Sequence, residues 1–334
     1  MNQNVCQMNL DWQLILAGAV RDPAELCRRL GLSTEAVDLA TDFPVLVPEP
    51  LLDRIEPGNP TDPILLQVLP RKEERDASPE FTTDPVGENE ILSPDGTLSK
   101  YRGRSLIVTS QTCGVHCRFC FRHHLPPCSA AKNDPEPIFA NPEQAAAHFE
   151  ADPTLHEAIL SGGDPLMMED ERLGAFIERL DQIESLRRIR IHTRLPIVIP
   201  QRVTERLVEI LRDGRTRRVV VLHVNHPNEL DAAVARAITQ LGQAGVTLFS
   251  QSVLLRGIND TEPVLAELFE RLVDLGVTPY YLHQLDRVAG AAHFEVDTNV
   301  GRELIARLRD RLPGYAVPRY VREVPGAAGK VVLL

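Results

Sequence analysis

Short runs of β-branched and other apolar residues alternate with longer stretches of helical period through the middle of the chain. The runs SLIVTS (105–110), EAILS (157–161), IRIHT (189–193), VVVLHV (219–224), VTLFSQ (246–251) and VTPYYLH (277–283) have the length and composition of strands. Segments at about 143–150, 170–182, 202–213, 229–243, 261–275 and 299–312 carry apolar residues at helical spacing. Six strand–helix units in series predict a parallel sheet with helices outside. Because such crossovers are right-handed, the series curls into a barrel or most of one. Its functional groups are then expected at the C-terminal ends of the strands.

The first 40 residues predict two helices, Trp12–Val20 and Pro23–Leu30, the second extending toward Asp38 beyond Gly31. From Phe43 to about Gly96 prolines recur (Pro44, Pro48, Pro50, Pro57, Pro60, Pro63, Pro70), which favours short elements and extended connections. RKEERD (71–76) reads as a solvated face or loop. There is no internal repeat and no low-complexity tract. The expected organisation is a helical and proline-rich region over 1–95, the barrel over 96–320, and a short C-terminal segment over 321–334.

Composition changes this picture little. At 334 residues, 43% hydrophobic and 25% charged, the chain is long enough for one large core. A net charge of −11 opposes nonspecific nucleic-acid binding. The apolar run LILAGAV near the N-terminus follows an Asp and lacks a basic flank, so it is a poor signal peptide, and no stretch is long and apolar enough to span a membrane. A cytoplasmic protein is expected, with no membrane partner.

The cysteines change it more. Cys113, Cys117 and Cys120 fall within CGVHCRFC, whereas Cys6, Cys27 and Cys128 are scattered. This is no disulfide framework, and reduced thiols fit a reducing compartment. Three thiolates on one short loop can hold a [4Fe–4S] cluster by three irons, leaving the fourth open to a small molecule. The alternatives are a zinc loop completed by His123 or His124, or unrelated thiols. Cys128 reads as a free thiol. SGGDP (161–165) follows the second strand. It is a tight turn with Asp164 as helix cap, or a place where backbone approaches a ligand closely. Near the end stands PGAAGK (325–330), whose Lys330 is on its own a solvated side chain.

The C-x3-C-x2-C spacing resembles the signature of radical S-adenosylmethionine (SAM) enzymes. With FCFRHH (119–124), LSGGDPL (160–166), RLPIVIPQRVT (194–204), VNHPNE (224–229), QSVLLRGIND (251–260) and PYYLHQLDRVAGAAHF (279–294), the chain from about 60 to 330 closely resembles the lysine 2,3-aminomutase family. PGNPTDPILLQVLP (57–70) and FTTDP (81–85) resemble its short bacterial branch, which makes (R)-β-lysine for elongation factor P. The resemblance implies an α/β fold, a partial (β/α)6 TIM-like barrel, with a [4Fe–4S] cluster on the three cysteines, SAM on the open iron, and pyridoxal 5′-phosphate (PLP) as a Schiff base on Lys330. It implies SAM contacts at Phe119, Ser161, Gly162, Gly163, Asp164 and Gln251, and PLP contacts at Lys100, Tyr101 and His283. Arg122 matches the residue that binds the substrate carboxylate. Asp286 and Glu323 match the two acids that hold the ε-ammonium, the second being Asp in lysine 2,3-aminomutases proper. His223, Asn225 and His226 are expected to line the site without a named task.

The activity so implied is isomerisation of L-lysine to β-lysine, an intramolecular amino shift. The implied partners are an electron donor, elongation factor P and the ligase that joins β-lysine to it. The alternatives are an aminomutase for another amino acid such as glutamate, a radical SAM modifying enzyme without PLP, and a non-catalytic zinc module. The alanines of PGAAGK, where relatives are richer in glycine, leave open whether Lys330 reaches the pocket.

Overall fold

Among the described residues, nine strands lie in one sheet in their order along the chain, from β1 to β9. The computed structural model describes residues 11–124 and 140–334, so Cys6 and Cys128 lie outside the described residues. The sheet begins with β1 (Thr97–Tyr101), antiparallel to its neighbour. The six expected strands follow as β2 (Arg104–Ser110), β3 (Glu157–Gly162), β4 (Arg188–Thr193), β5 (Arg217–His223), β6 (Thr247–Leu254) and β7 (Thr278–Gln284). Each is parallel to the next. A seventh parallel strand, β8 (Arg319–Arg322), pairs with β7, and β9 (Val331–Val332) turns back antiparallel on it.

The six expected helical segments form between these strands. They are α4 (Pro142–Ala151), α5 (Asp170–Asp181), α7 (Glu205–Arg212), α8 (Ala232–Gln243), α9 (Glu262–Asp274) and α10 (Thr298–Arg311), with a one-turn α6 (Leu195–Val198) after β4. Ahead of the sheet lie α1 (Trp12–Ala17), α2 (Pro23–Leu30) and the short α3 (Glu49–Leu52). Helix α2 stops at Leu30 and does not continue toward Asp38. Gly31 takes a left-handed conformation (φ 66°) and returns its N–H to the last turn.

The curvature of the sheet follows from how the strands divide their faces. Side chains at i, i+2 and i+4 share one side of a strand. In β4 Ile189, Ile191 and Thr193 are buried, while Arg188, Arg190 and His192 line an interior cavity. Glu157, Ile159 and Ser161 of β3 face the same cavity, as do Phe249, Gln251 and Val253 of β6. The sheet therefore curves round a polar interior as a partial barrel, with β1 and β9 as its two edges. The proline-rich N-terminal region is not packed apart: Trp12, Leu26, Val47, Ile64 and Leu65 join the same apolar cluster as the barrel. Among the described residues no helix is long and apolar enough to cross a membrane.

Strands β1, β8 and β9 are absent from the sequence expectation. They are four or five residues or fewer, and TLSKY and RYVR carry too many polar side chains for a period to show. Their pairing is imposed from outside. Tyr320 of β8 is fully buried under Gly301 of α10, where an added Cβ would come within 2.2 Å of the tyrosine hydroxyl. That hydroxyl donates to Oε1 of buried Gln284. Tyr320→Phe leaves the Gln284 oxygen unpaired, and a loss of about 1–3 kcal/mol is expected. It would be read as a lower midpoint in chemical denaturation, with Glu323 and Lys330, both anchored by β8, the first groups to loosen.

Candidate active site

A cavity of about 530 Å³ occupies the barrel interior. All three loop cysteines line it, together with Phe119, Arg122, Ser161, Gly162, Gly163, Asp164, Gln251, His283, Asp286, Glu323, Lys100, Tyr101 and Lys330. The structure thus gathers the residues expected to hold the cluster, SAM, PLP and substrate into one cavity, from segments up to 230 residues apart (Lys100 to Lys330), and His223 with them, whereas Asn225 and His226, also expected to line the site, do not.

The cysteine loop leaves β2 and is pinned from below by the N-terminal region. His116 N–H donates to Leu46 O (3.2 Å), and Arg118 N–H to Gln67 O (2.9 Å). The Arg118 guanidinium donates to Glu74 (2.9 Å), Phe43 O (2.8 Å) and Thr41 Oγ1 (3.0 Å). Cys117 is partly buried, and its desolvation raises the thiol pKa against the opposing pull of Arg194. His123, a candidate fourth ligand in the zinc reading, stacks instead against Phe43 and His124, with ring centroids at 3.8 and 4.3 Å. No group of three or more His, Cys, Asp or Glu among the described residues is arranged for a single metal ion.

The two glycines of SGGDP serve the loop itself. A Cβ on Gly162 (φ 114°) would stand 2.3 Å from Ser110 O, and one on Gly163 2.3 Å from Thr112 O. The close approach is between the end of β3 and the strand leading into the cysteines, sealed by Gly163 N–H to Ser110 O (2.6 Å) and Asp164 N–H to Thr112 O (2.8 Å). The Asp164 carboxylate accepts from Thr193 Oγ1 (2.7 Å) and the N–H groups of Arg194 (2.7 Å), Leu195 (2.9 Å) and Leu166 (3.0 Å). Those four donors fill the lone pairs of a carboxylate. Asp164 is a buried structural cap at the cavity wall. Phe119 meets Arg194 and the rings of His223 and Phe294, so it packs the loop as well as lining the cavity.

Ion pairs run through the rest of the site. Glu88 takes the Arg122 fork with both oxygens (2.7 and 3.1 Å), while Nη1 of Arg122 donates to Ser161 Oγ (2.9 Å) and Gly162 O (3.3 Å). Burial works against the Glu88 charge, but Arg122 and Lys100 outweigh it and hold its pKa at about 2. Lys100 lies between Glu88 (3.2 Å) and Glu323 (3.6 Å). Glu323 also accepts from the Tyr101 hydroxyl and from Lys330 Nζ (2.5 Å); these partners overcome burial and keep it ionised. Lys330 reaches the cavity because β9 pairs Val331 with Arg322, folding PGAAGK into a turn with Gly326 at φ 77°. The two alanines do not prevent it. Asp286 has no such compensation: burial, with Glu323 adding to it, pushes its pKa to about 7 against the pull of Lys330.

Several lining residues were not singled out from the sequence. Glu88 sits in the proline-rich stretch, where no period marks it. Arg104, Arg190 and His192 occupy inward positions of β2 and β4, readable only once the strand faces are known. Among the described residues, Nε2 of His192, His223 and His283 has no hydrogen-bond partner, and burial lowers the pKa of each, so the imidazoles are neutral. Asn225 is fully buried and hydrogen-bonds within the core, donating to Gln67 Oε1 (2.9 Å).

Residues 107–269 match the family model of the Radical SAM superfamily. The L-lysine 2,3-aminomutase of Escherichia coli (strain K12) is 43% identical over 328 residues, 97% of this chain and 94% of that protein. Those of Haemophilus influenzae and Buchnera aphidicola are 40% and 36% identical, covering 96% and 97% of this chain and 95% of each. The chain belongs to the L-lysine 2,3-aminomutase family. Radical SAM membership implies a [4Fe–4S] cluster and SAM, and the donor set fits: three thiols on one cavity wall beside a guanidinium, with the β3 glycine turn next to them.

If the glycine contacts set the cysteine loop in this family member, Gly163→Ala must push Thr112 aside. Iron bound after anaerobic reconstitution is then expected to fall well below the wild-type content. Wild-type iron content in this variant would contradict that role for the turn.

Proposed function

We propose that this protein is a radical SAM, PLP-dependent lysine 2,3-aminomutase that converts L-α-lysine to (R)-β-lysine. The observation that carries the reading is the triad of Asp286, Glu323 and Lys330 in a cavity walled by the three cysteines. The cavity also fits PLP. Lys330 is its amine, the unpartnered Nε2 of His283 lies within electrostatic reach of that amine, and Arg104, Arg190 and the Tyr281 ring line the same space. When bound, the cluster and SAM would supply radical chemistry and PLP would hold the substrate nitrogen.

The protein's own residues do the positioning. Cys113, Cys117 and Cys120 hold the cluster. The backbone of Ser161, Gly162 and Gly163, with Phe119 and Gln251, forms the SAM wall. Lys100, Tyr101 and His283 serve PLP, with Arg104 a further cation for its phosphate. Arg122 is assigned to the substrate carboxylate, which must displace Ser161 Oγ or Gly162 O from Nη1, since Glu88 occupies the Nε–Nη2 side. Asp286 and Glu323 hold the ε-ammonium, whose burial without a counter-ion would be costly. The same pair of acids repels the side chain of glutamate, which sets lysine above it. A closed, positioned site suits radical transfer, which needs proximity more than a strong base.

The resemblance to the short bacterial branch supports β-lysylation of elongation factor P through a separate ligase as the use of the product, in the cytoplasm. It also supports the division into an N-terminal region (1–95), barrel (96–320) and lysine-bearing segment (321–334), with β8 straddling the last boundary.

The test is anaerobic incubation with SAM, PLP, a reductant and either L-lysine or L-glutamate, read by chiral mass spectrometry. β-Lysine from lysine alone, abolished in Cys117→Ala and Lys330→Ala, is the expected result. 5′-Deoxyadenosine without an amino shift would overturn the aminomutase and leave a radical enzyme of another kind.

The Asp286 carboxyl gives a pH dependence with a definite sign. Its pKa is raised to about 7, so below that pH it is protonated and lost as a counter-ion. The KM for lysine is expected to rise about tenfold for each pH unit below 7 and to level off above it. Asp286→Asn should flatten that slope as well as weaken binding; an unchanged slope would assign the titration elsewhere.

A further inference from the structure

Arg194 is one of the most deeply buried charges in the molecule, and none of the roles above uses it. It follows β4, and its backbone N–H is held by Asp164. Its guanidinium Nη2 donates to Glu229 (2.8 Å) and to Gln67 Oε1 (2.6 Å). Glu229 is itself completely buried and is locked by the N–H groups of Asn225 (2.9 Å) and His226 (3.0 Å) and by Gln67 Nε2 (3.2 Å). The other arm, Nη1, lies 2.6 Å from the sulfur of Cys117. The guanidinium plane also faces Phe119 across 5.8 Å.

Burying a guanidinium and a carboxylate together is commonly no better for stability than an apolar filling of the same volume. Simple packing therefore explains the pair poorly, and its aim explains it better. Every partner but one is a fixed protein group that sets the arginine's position. The remaining arm points at the sulfur of the middle cysteine.

We propose that Arg194 is a positioning residue that tunes the reduction of the cluster. It donates a charge-assisted hydrogen bond to the Cys117 sulfur, and Glu229 holds the arm in place and sets how much positive charge the cluster feels. The inference rests on the cluster assignment at Cys113, Cys117 and Cys120. Reduction adds one electron from a low-potential one-electron donor to the cluster, with no bond made or broken at Arg194. The added negative charge is stabilised by a nearby cation and by donors to the sulfurs, two of the factors that set cluster potentials. Arg194 thus raises the midpoint, and Glu229, by compensating the arginine, lowers it.

The experiment is an anaerobic redox titration of the reconstituted, SAM-free protein, followed by the electron paramagnetic resonance signal of the reduced cluster, with iron and sulfide counted on each sample. Arg194→Gln is expected to move the midpoint to more negative potential, by about tenfold in the reduction equilibrium, which for one electron is about 59 mV. Glu229→Gln, which keeps the guanidinium, is expected to move it the opposite way. A purely structural pair would lower cluster content in both variants, or move both midpoints in one direction, and either result overturns the proposal. So do two variants with full clusters and the wild-type midpoint. If Arg194→Gln does not load a cluster, the direction of the Glu229→Gln shift decides the matter alone. Wild-type protein that binds no cluster would overturn the cluster assignment itself, an outcome distinct from a cluster whose potential Arg194 does not move.

Discussion

Alternation of charge inside the barrel is the constraint on which the site depends. Arg122, Glu88, Lys100, Glu323 and Lys330 form a continuous series of ion pairs in which each internal member touches an opposite charge on either side. Isolated charges in such a setting would be neutralised or expelled. Placed in alternation, they hold one another ionised, as the low pKa of Glu88 records. Asp286 stands just off this series, with no ion-pair partner among the described residues. Its raised pKa is the other face of the same electrostatics.

The series also explains why the barrel is not made of its six strand–helix units alone. Glu88 comes from the proline-rich region, Lys100 from the edge strand β1, and Glu323 and Lys330 from the two sides of the β8–β9 hairpin. These added elements bring the opposite charges to the open edges of the sheet. The N-terminal region does the corresponding work beneath the cysteine loop, where Leu46, Gln67 and Glu74 receive its N–H groups and its arginine. Sheet edges and terminal segments are here parts of the site.

What could be read in the sequence follows from where the physics is periodic. The six parallel strands are marked by apolar runs such as VVVLHV, because they are buried on the helix side, and their boundaries fall within two or three residues of those expected. The cysteine spacing and the motifs at strand ends are local, and they identified the cysteine loop and the β3 turn that form part of the cavity wall. Strands β1, β8 and β9 were not legible because their stability comes from pairing and from Tyr320 beneath Gly301, not from their own composition. Glu88 was hidden for a related reason: its meaning lies in Arg122, 34 residues away, across a turn no pattern marks. SGGDP was legible as a motif but ambiguous in purpose, and the Cβ distances at Gly162 and Gly163 assign it to the cysteine loop. Arg194 and Glu229 lay inside quoted motifs, yet only their contact with Cys117 and Gln67 gives them a task.

The central claim is that the β8–β9 hairpin delivers Lys330 as the cofactor amine among the acids of the cavity. Reduction of the PLP-loaded protein with borohydride fixes the pyridoxyl group to the amine that carries it, and peptide mass spectrometry locates it. The chain has only Lys72, Lys100, Lys132 and Lys330 to choose from. The account predicts the label on Lys330, in a stoichiometry near one per chain. A label on Lys100, the other lysine of the cavity, or one spread over the remaining lysines would contradict it.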